Sequence, residues 1–171
     1  TTSIRKHGEV LSIKGGVTTP ADLTTGNIGV VSDGAGTLNV KLAKDLVGLN
    51  SATYTDAAGN TTTVTGGTTT ISDAAGNTQT LAPTKSEIKD NTGVSTVTTK
   101  DGVTAKDAAG NTTALTNSGV STTDGAGNTT ALTKGGLSTT DGTNTTTVTP
   151  NGLTATDGTN TVKVNGSGID A

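Results

Sequence analysis

Gly119-Val-Ser-Thr-Thr-Asp124-Gly-Ala-Gly-Asn128-Thr-Thr-Ala-Leu-Thr133-Lys-Gly-Gly136 is one full period of a repeat, and its reading decides the fold. The phrase recurs as Gly-Val-Thr-Ala-Lys-Asp at 102–107, Gly-Leu-Ser-Thr-Thr-Asp at 136–141, Gly-Leu-Thr-Ala-Thr-Asp at 152–157 and Gly-Ile-Asp at 168–170. Gly-to-Gly spacings are 17, 17, 16 and 16, and the same Asp recurs upstream at Asp56, Asp73 and Asp90 with spacing 17. A fixed period is settled first because it governs every later assignment.

Each period carries two Gly-containing turns, such as Asp-Ala-Ala-Gly-Asn at 107–111 and Thr-Asn-Ser-Gly at 116–119, with five or six residues between them. Segments that short and that rich in Thr and Val read as strands. In Asp-x-x-Gly-Asn the Gly supplies the left-handed residue after a type I turn, and Pro150 sits where a turn wants φ near −65°. Where the spacing shortens to 16, the loop becomes Asp141-Gly142-Thr143-Asn144 or Asp157-Gly158-Thr159-Asn160, a two-residue loop with Gly first that suits a type II′ turn. The deletion falls in the loop, so the strand faces keep their register. That predicts an antiparallel β-meander of 16–17-residue hairpin repeats in preference to a solenoid.

Composition sharpens the problem. The 171 residues include 43 Thr and one aromatic, Tyr54, while Leu, Ile and Val together supply only 31. Net charge is only −3, so the low hydrophobicity does not carry the charge excess of a disordered chain. Each hairpin offers about two large apolar groups, for example Leu115 with Val120 or Leu132 with Leu137. At about 1.5–3 kcal/mol per buried side chain these hardly match an ordering cost of about 1–2 kcal/mol per residue. One thin sheet with one apolar face needs a partner, and the nearest candidate is another copy of the chain.

In chain order, Glu9-Val10-Leu11-Ser12-Ile13-Lys14 is the clearest strand of the first 26 residues, and Arg5-Lys6-His7, the only basic cluster, reads as a solvated strand end or linker, with a polyanion or glycosaminoglycan contact as the alternative. Ile28–Ser32, Asp33-Gly34-Ala35-Gly36 and Thr37–Leu42 form a hairpin in which Leu38, Val40 and Leu42 alternate with polar residues, which places one face on a core. Residues 43–49 fit either one helical turn or an extended crossover. Two domains follow: residues 1–50, a head module around the Gly26–Leu46 hairpin, and 51–171, the repeat array. Within the array Tyr54, Ile71 and Ile88 lie two before their Asp, and Val103, Val120, Leu137 and Leu153 lie four before theirs. Both offsets are even, so both put the apolar group on one strand face. Pro83 and the charged run 85–90 suggest a junction near 82–92.

The stretch Gly26-Asn-Ile-Gly-Val-Val-Ser-Asp-Gly34, with Leu38-Asn-Val-Lys-Leu-Ala-Lys-Asp-Leu46 and Leu49-Asn-Ser-Ala-Thr-Tyr54, resembles the head modules of trimeric autotransporter adhesins of Gram-negative bacteria. The later Asp-Gly-Thr-Asn-Thr and Asn-Gly-x-Gly-Ile phrases are similar to repeats of that family. The resemblance implies a homotrimeric, β-prism-like fibre at the bacterial surface, held to the outer membrane by a C-terminal region outside this chain. It also implies attachment to host cells or extracellular matrix, and a part in autoaggregation or biofilm.

Little in the sequence supports catalysis. His7 has no carboxylate or nucleophile fixed near it, and Cys is absent, so the nucleophile-and-base arrangements of acyl transfer are unsupported. Asp107, Asp124, Asp141 and Asp157 tempt a calcium reading. Strands two apart are about 9.6 Å apart, too far to share an ion, and Asp before a tight turn is explained by the backbone N–H groups it accepts. Thr61 with Thr63, and Thr145 with Thr147, form Thr-x-Thr ladders suited to ice or polysaccharide, although Thr is also an ordinary solvent-face residue. Asn60, Asn111, Asn128, Asn144 and Asn165 open Asn-x-Ser/Thr sequons that coincide with turns.

The sequence reading is therefore a non-enzymatic, all-β, homotrimeric adhesin segment without cofactor, metal or nucleic-acid partner, binding a host receptor or matrix protein. No apolar run approaches the roughly 18 residues of a membrane span, so direct insertion by this segment is not expected. Thr1 opens in mid-pattern and Gly168–Ala171 begins another repeat, so a segment of a longer protein is expected. The alternatives are a phage tail-fibre segment, a monomeric Thr-faced β-solenoid, and a mere spacer.

Overall fold

A computed structural model describes residues 6–10 and 12–171; Arg5 and Leu11 lie outside them. Among the described residues the chain is all-β apart from one 3-10 turn at Pro20–Asp22, and it divides into two compact units, Thr1–Asn50 and Ser51–Ala171.

The first unit holds one hairpin, β1 (Ile28–Ser32) with β2 (Leu38–Leu42), paired Ile28 to Leu42, Val30 to Val40 and Ser32 to Leu38. Its turn has the chemistry expected of it: the Asp33 carboxylate accepts the N–H groups of Ala35 at 2.8 Å and Thr37 at 3.0 Å. Residues 43–49 form neither a helical turn nor a strand: the chain bends at Lys44–Asp45 and again at Gly48, whose φ is +69°. Asn27, the one buried polar residue among those described, accepts Ala43 N–H on its backbone oxygen, accepts Val47 N–H on Oδ1 and donates from Nδ2 to the Val47 oxygen. Two expectations fail here. Glu9–Val10 and Ser12–Lys14 belong to no strand, because alternation without a partner strand has no ladder to join. Leu38, Val40 and Leu42 face no core and are 59–66 % exposed, because no second layer among the described residues of this unit covers the hairpin.

The second unit is a single 15-stranded sheet in which every strand pairs antiparallel with its sequence neighbours. It runs from β3 (Ser51–Thr55), β4 (Thr61–Thr65), β5 (Thr69–Ser72), β6 (Thr78–Ala82), β7 (Lys85–Lys89) and β8 (Ser95–Thr99) to β9 (Gly102–Lys106), β10 (Thr112–Thr116) and β11 (Gly119–Thr123). β12 (Thr129–Thr133), β13 (Gly136–Thr140), β14 (Thr145–Thr149), β15 (Gly152–Thr156), β16 (Thr161–Asn165) and β17 (Gly168–Asp170) complete it. This is a meander and not the coil of a solenoid. Open sheets rarely exceed about 10 strands without curling or splitting, so the regular turns at both edges must hold this one in register. The stretch 82–92 is continuous with the rest: β6 pairs with β7 across Pro83 and Thr84, and β7 pairs with β8. A two-residue turn accommodates Pro83 outside the ladder, where its missing N–H costs nothing.

Along one edge run the Asp turns. In 56–60 Asp56 N–H donates to the Asn60 oxygen, Gly59 N–H donates back to Asp56, and Gly59 sits at φ +86°. The shorter loops keep Gly first, with Gly142 and Gly158 both at φ +90°, as a two-residue hairpin of the II′ kind needs. Along the other edge run two-residue turns, closed from β9 onward by a strand-leading glycine. Gly119 has φ +140°, and a Cβ on it would lie 2.0 Å from the Leu132 oxygen of the next strand. Gly102, Gly136 and Gly152 are confined in the same way. Here a side chain is excluded twice, by φ and by the approach of the neighbouring backbone.

Candidate functional site: two faces and a carboxylate edge

The register sorts the sheet into two faces. On one, Leu115, Val120, Leu132, Leu137, Val148, Leu153, Val164 and Ile169 stand directly opposite one another from strand to strand. Val103 extends this row on β9. Upstream the large groups alternate between this row, with Val64 and Leu81, and the next row towards the Asp edge, with Tyr54, Ile71 and Ile88. Both offsets from the Asp thus fall on a single face, and the apolar contact moves one step along the strand. Cross-strand neighbours of this kind stabilise a sheet by about 0.2–1 kcal/mol per pair.

None of these residues is buried. From Val64 to Ile169 the large members of the row are 37–76 % exposed except Val103, which is half-buried, and no hydrophobic residue among those described is buried. A contiguous apolar stripe of this length on one side of a sheet is the informative departure, since scattered exposed apolar groups are normal and connected ones mark an interface.

The opposite face is hydroxylic. Its middle row runs Thr53, Thr63, Thr70, Thr80 at one end and Ser138, Thr147, Thr154 towards the other. The predicted ladders fall here, Thr61 and Thr63 on β4 and Thr145 and Thr147 on β14. Some hydroxyls bond sideways, as Thr53 with Thr63 at 3.1 Å and Thr145 with Thr140 at 3.0 Å. The apolar side also carries hydroxyls towards the Asp edge: Thr113, Thr122, Thr130 and Thr139 continue the row that holds Tyr54, Ile71 and Ile88 upstream, and with Asp124 and Asn128 they line an open trough of about 570 Å³. Hydroxyl, amide and carboxylate groups can hydrogen-bond a polar ligand there, but they include no base placed to activate a nucleophile.

The carboxylate edge is saturated from within. Asp124 Oδ1 accepts the N–H groups of Ala126 and Asn128, both at 2.9 Å, and Oδ2 accepts Asn128 Nδ2 at 2.7 Å. The Asn side-chain bond, followed by the backbone bonds, holds the Asp124 carboxyl below the ordinary range. Asp56, Asp73 and Asp107 are lowered with the same leading cause. Asp141 falls to about 2, led by the Asn144 side chain, and Asp157 to about 2, led by the Asn160 backbone N–H. At Asp90, where Val94 replaces the Asn, the Thr92 hydroxyl takes over. Among the described residues no three His, Cys, Asp or Glu side chains come together as a metal site.

Sequence reasoning missed a lateral device. Asn111 Oδ1 accepts Gly125 N–H of the following Asp turn at 2.9 Å, Asn77 does the same for Asn91 at 3.1 Å and Asn60 for Ala74 at 3.3 Å. One asparagine thus caps its own Asp and ties that turn to the next. The recurrence of Asn at the fifth position of the loops opened by Asp56, Asp73, Asp107 and Asp124 was the available signal, but one turn alone accounts for it fully. Comparison with protein-family models, with curated proteins and with solved structures returned no match.

Proposed function

We propose that this chain is a segment of a surface fibre, a trimeric adhesin in which three copies pool their apolar faces and present the threonine faces outward. The observation that carries the proposal is the unbroken apolar row from Val103 to Ile169 on a sheet with no core of its own. Burying what remains exposed of each Leu or Val is worth about 1 kcal/mol, half of the full side-chain value, and the row repeats that gain strand after strand. A copy of the same chain has the matching pitch and no charge on the row, which suits it to cover this face. The resemblance of residues 26–54 to trimeric autotransporter heads supports the surface setting and the adhesive role. Three identical outer faces would convert weak single contacts into firm attachment, to a host receptor or a matrix protein.

Immobilised fibronectin, laminin and collagen, probed with the purified chain and with a Leu132→Lys/Leu137→Lys variant, test this reading. The native chain should associate and bind at least one surface, and the variant should lose both properties. Equal binding by a monomeric variant would refute the avidity argument. Failure of the associated native chain on every surface, and on host cells, would refute adhesion and leave a spacer. The threonine rows favour one second reading, a monomeric sheet with a glycan- or ice-binding face, which requires the native chain to stay monomeric.

A further inference from the structure

The five Asn-x-Ser/Thr sequons are equivalent in sequence but not in the fold. Asn60, Asn111, Asn128 and Asn144 each donate Nδ2 to the Oδ2 of the Asp that opens their turn, at 2.6–2.8 Å. Their hydroxyl residues two positions on, Thr62, Thr113, Thr130 and Thr146, lie inside strands paired on both sides. A transferase reaching any of these four would have to break the Asp cap and lift a strand out of the sheet.

Asn165 is different on each count. Gly166 and Ser167 form the two-residue turn between β16 and β17, flanked by the paired Asn165 and Gly168, so the tripeptide lies at the sheet edge. Asn165 is exposed, as the other four are, but its Oδ1 accepts Ser167 N–H at 2.8 Å, a local Asx turn. Its Nδ2 has no partner among the described residues. This edge is the one opposite the Asp turns, so a bulky group there meets none of the asparagine bridges.

We propose that Asn165 is the acceptor for an N-linked glycan on the folded chain, and that the other four sequons are closed to modification once the sheet has formed. The donor class is a sugar activated by a diphosphate leaving group. Asn165 Nδ2 attacks the anomeric carbon, the C–N bond forms as the C–O bond to the diphosphate breaks, and the displaced amide proton passes to a base of the transferase. The folded chain, incubated with UDP-glucose and a soluble asparagine glycosyltransferase, should gain a single hexose on the peptide that contains Asn165. The same chain unfolded in advance should also be labelled at Asn60, Asn111, Asn128 or Asn144. Asn165→Gln and Ser167→Ala, both at exposed turn positions, should each abolish labelling of the folded chain. Labelling of any Asp-turn asparagine in the folded chain as readily as Asn165 would overturn the proposal, as would an unlabelled Asn165.

Discussion

Replacing Gly119 by Ala tests whether the strand-leading glycines hold the sheet in register. Its Cβ would sit 2.0 Å from the Leu132 oxygen and 3.0 Å from Thr133 Cα, at φ +140°. Backbone in such a glycine-only region costs about 1–3 kcal/mol for another residue. Relieving the clash means separating Gly119 from Thr133, its partner in the ladder, at about 0.5–1.5 kcal/mol for each hydrogen bond lost. A total near 2–4 kcal/mol follows. Gly127 is the control, since it closes the Asp turn between the same two strands at φ +91° with nothing within 4 Å of a new Cβ. Gly127→Ala should therefore cost only the left-handed penalty of about 1–2 kcal/mol. Urea unfolding followed by far-UV circular dichroism reads both. Because long repeat arrays lose two-state cooperativity, amide exchange on β11 and β12 should accompany it and show the larger loss for Gly119→Ala. Equal midpoints and equal exchange for the two variants would refute the argument that backbone approach, and not φ alone, selects glycine at the head of β11.

Two further outcomes follow from the turns. Asn111→Ala should destabilise more than Asn144→Ala, by about 0.5–1.5 kcal/mol, because both remove an Asp cap but only Asn111 also bonds the neighbouring turn; equal losses by denaturation would deny the lateral bridge any role. Acid should act through the capped carboxylates: their folded pKa values lie below the unfolded value near 3.9, at about 2 for Asp141 and Asp157. Their stabilisation is therefore complete above about pH 4 and is lost as pH falls towards 2. A thermal midpoint that stays flat from pH 5 to pH 2 would contradict this.

The meander was legible because its signals are local. Asp-x-x-Gly-Asn fixes a turn within five residues, and the shift from 17 to 16 falls between Asp141 and Asn144, which tells loop from strand. The even offsets of Tyr54 and Val103 from their Asp told which side chains share a face. The errors came where a local pattern needs a distant partner. Glu9–Lys14 alternates like a strand in sequence, yet Glu9–Val10 and Ser12–Lys14 pair as strands with no other described residues. Leu38, Val40 and Leu42 alternate like a core-facing strand, but alternation reports only that one face is apolar and not what covers it. The Pro83 stretch looked like a junction because Pro and charge often mark one, whereas a two-residue turn absorbs the proline and an exposed strand tolerates the Lys and Glu. The confinement of Gly119 by Leu132, thirteen residues away, and the Asn111 bridge to Gly125 required the register itself.

Solution mass by multi-angle light scattering bears most directly on the shared apolar face. For a chain of 16.5 kDa the account predicts a species near three times that mass, with a β-rich far-UV spectrum, that falls to the monomer mass with Leu132→Lys/Leu137→Lys. A native chain that is folded, β-rich and monomeric would contradict it, since the apolar row from Val103 to Ile169 would then stand uncovered in a stable protein.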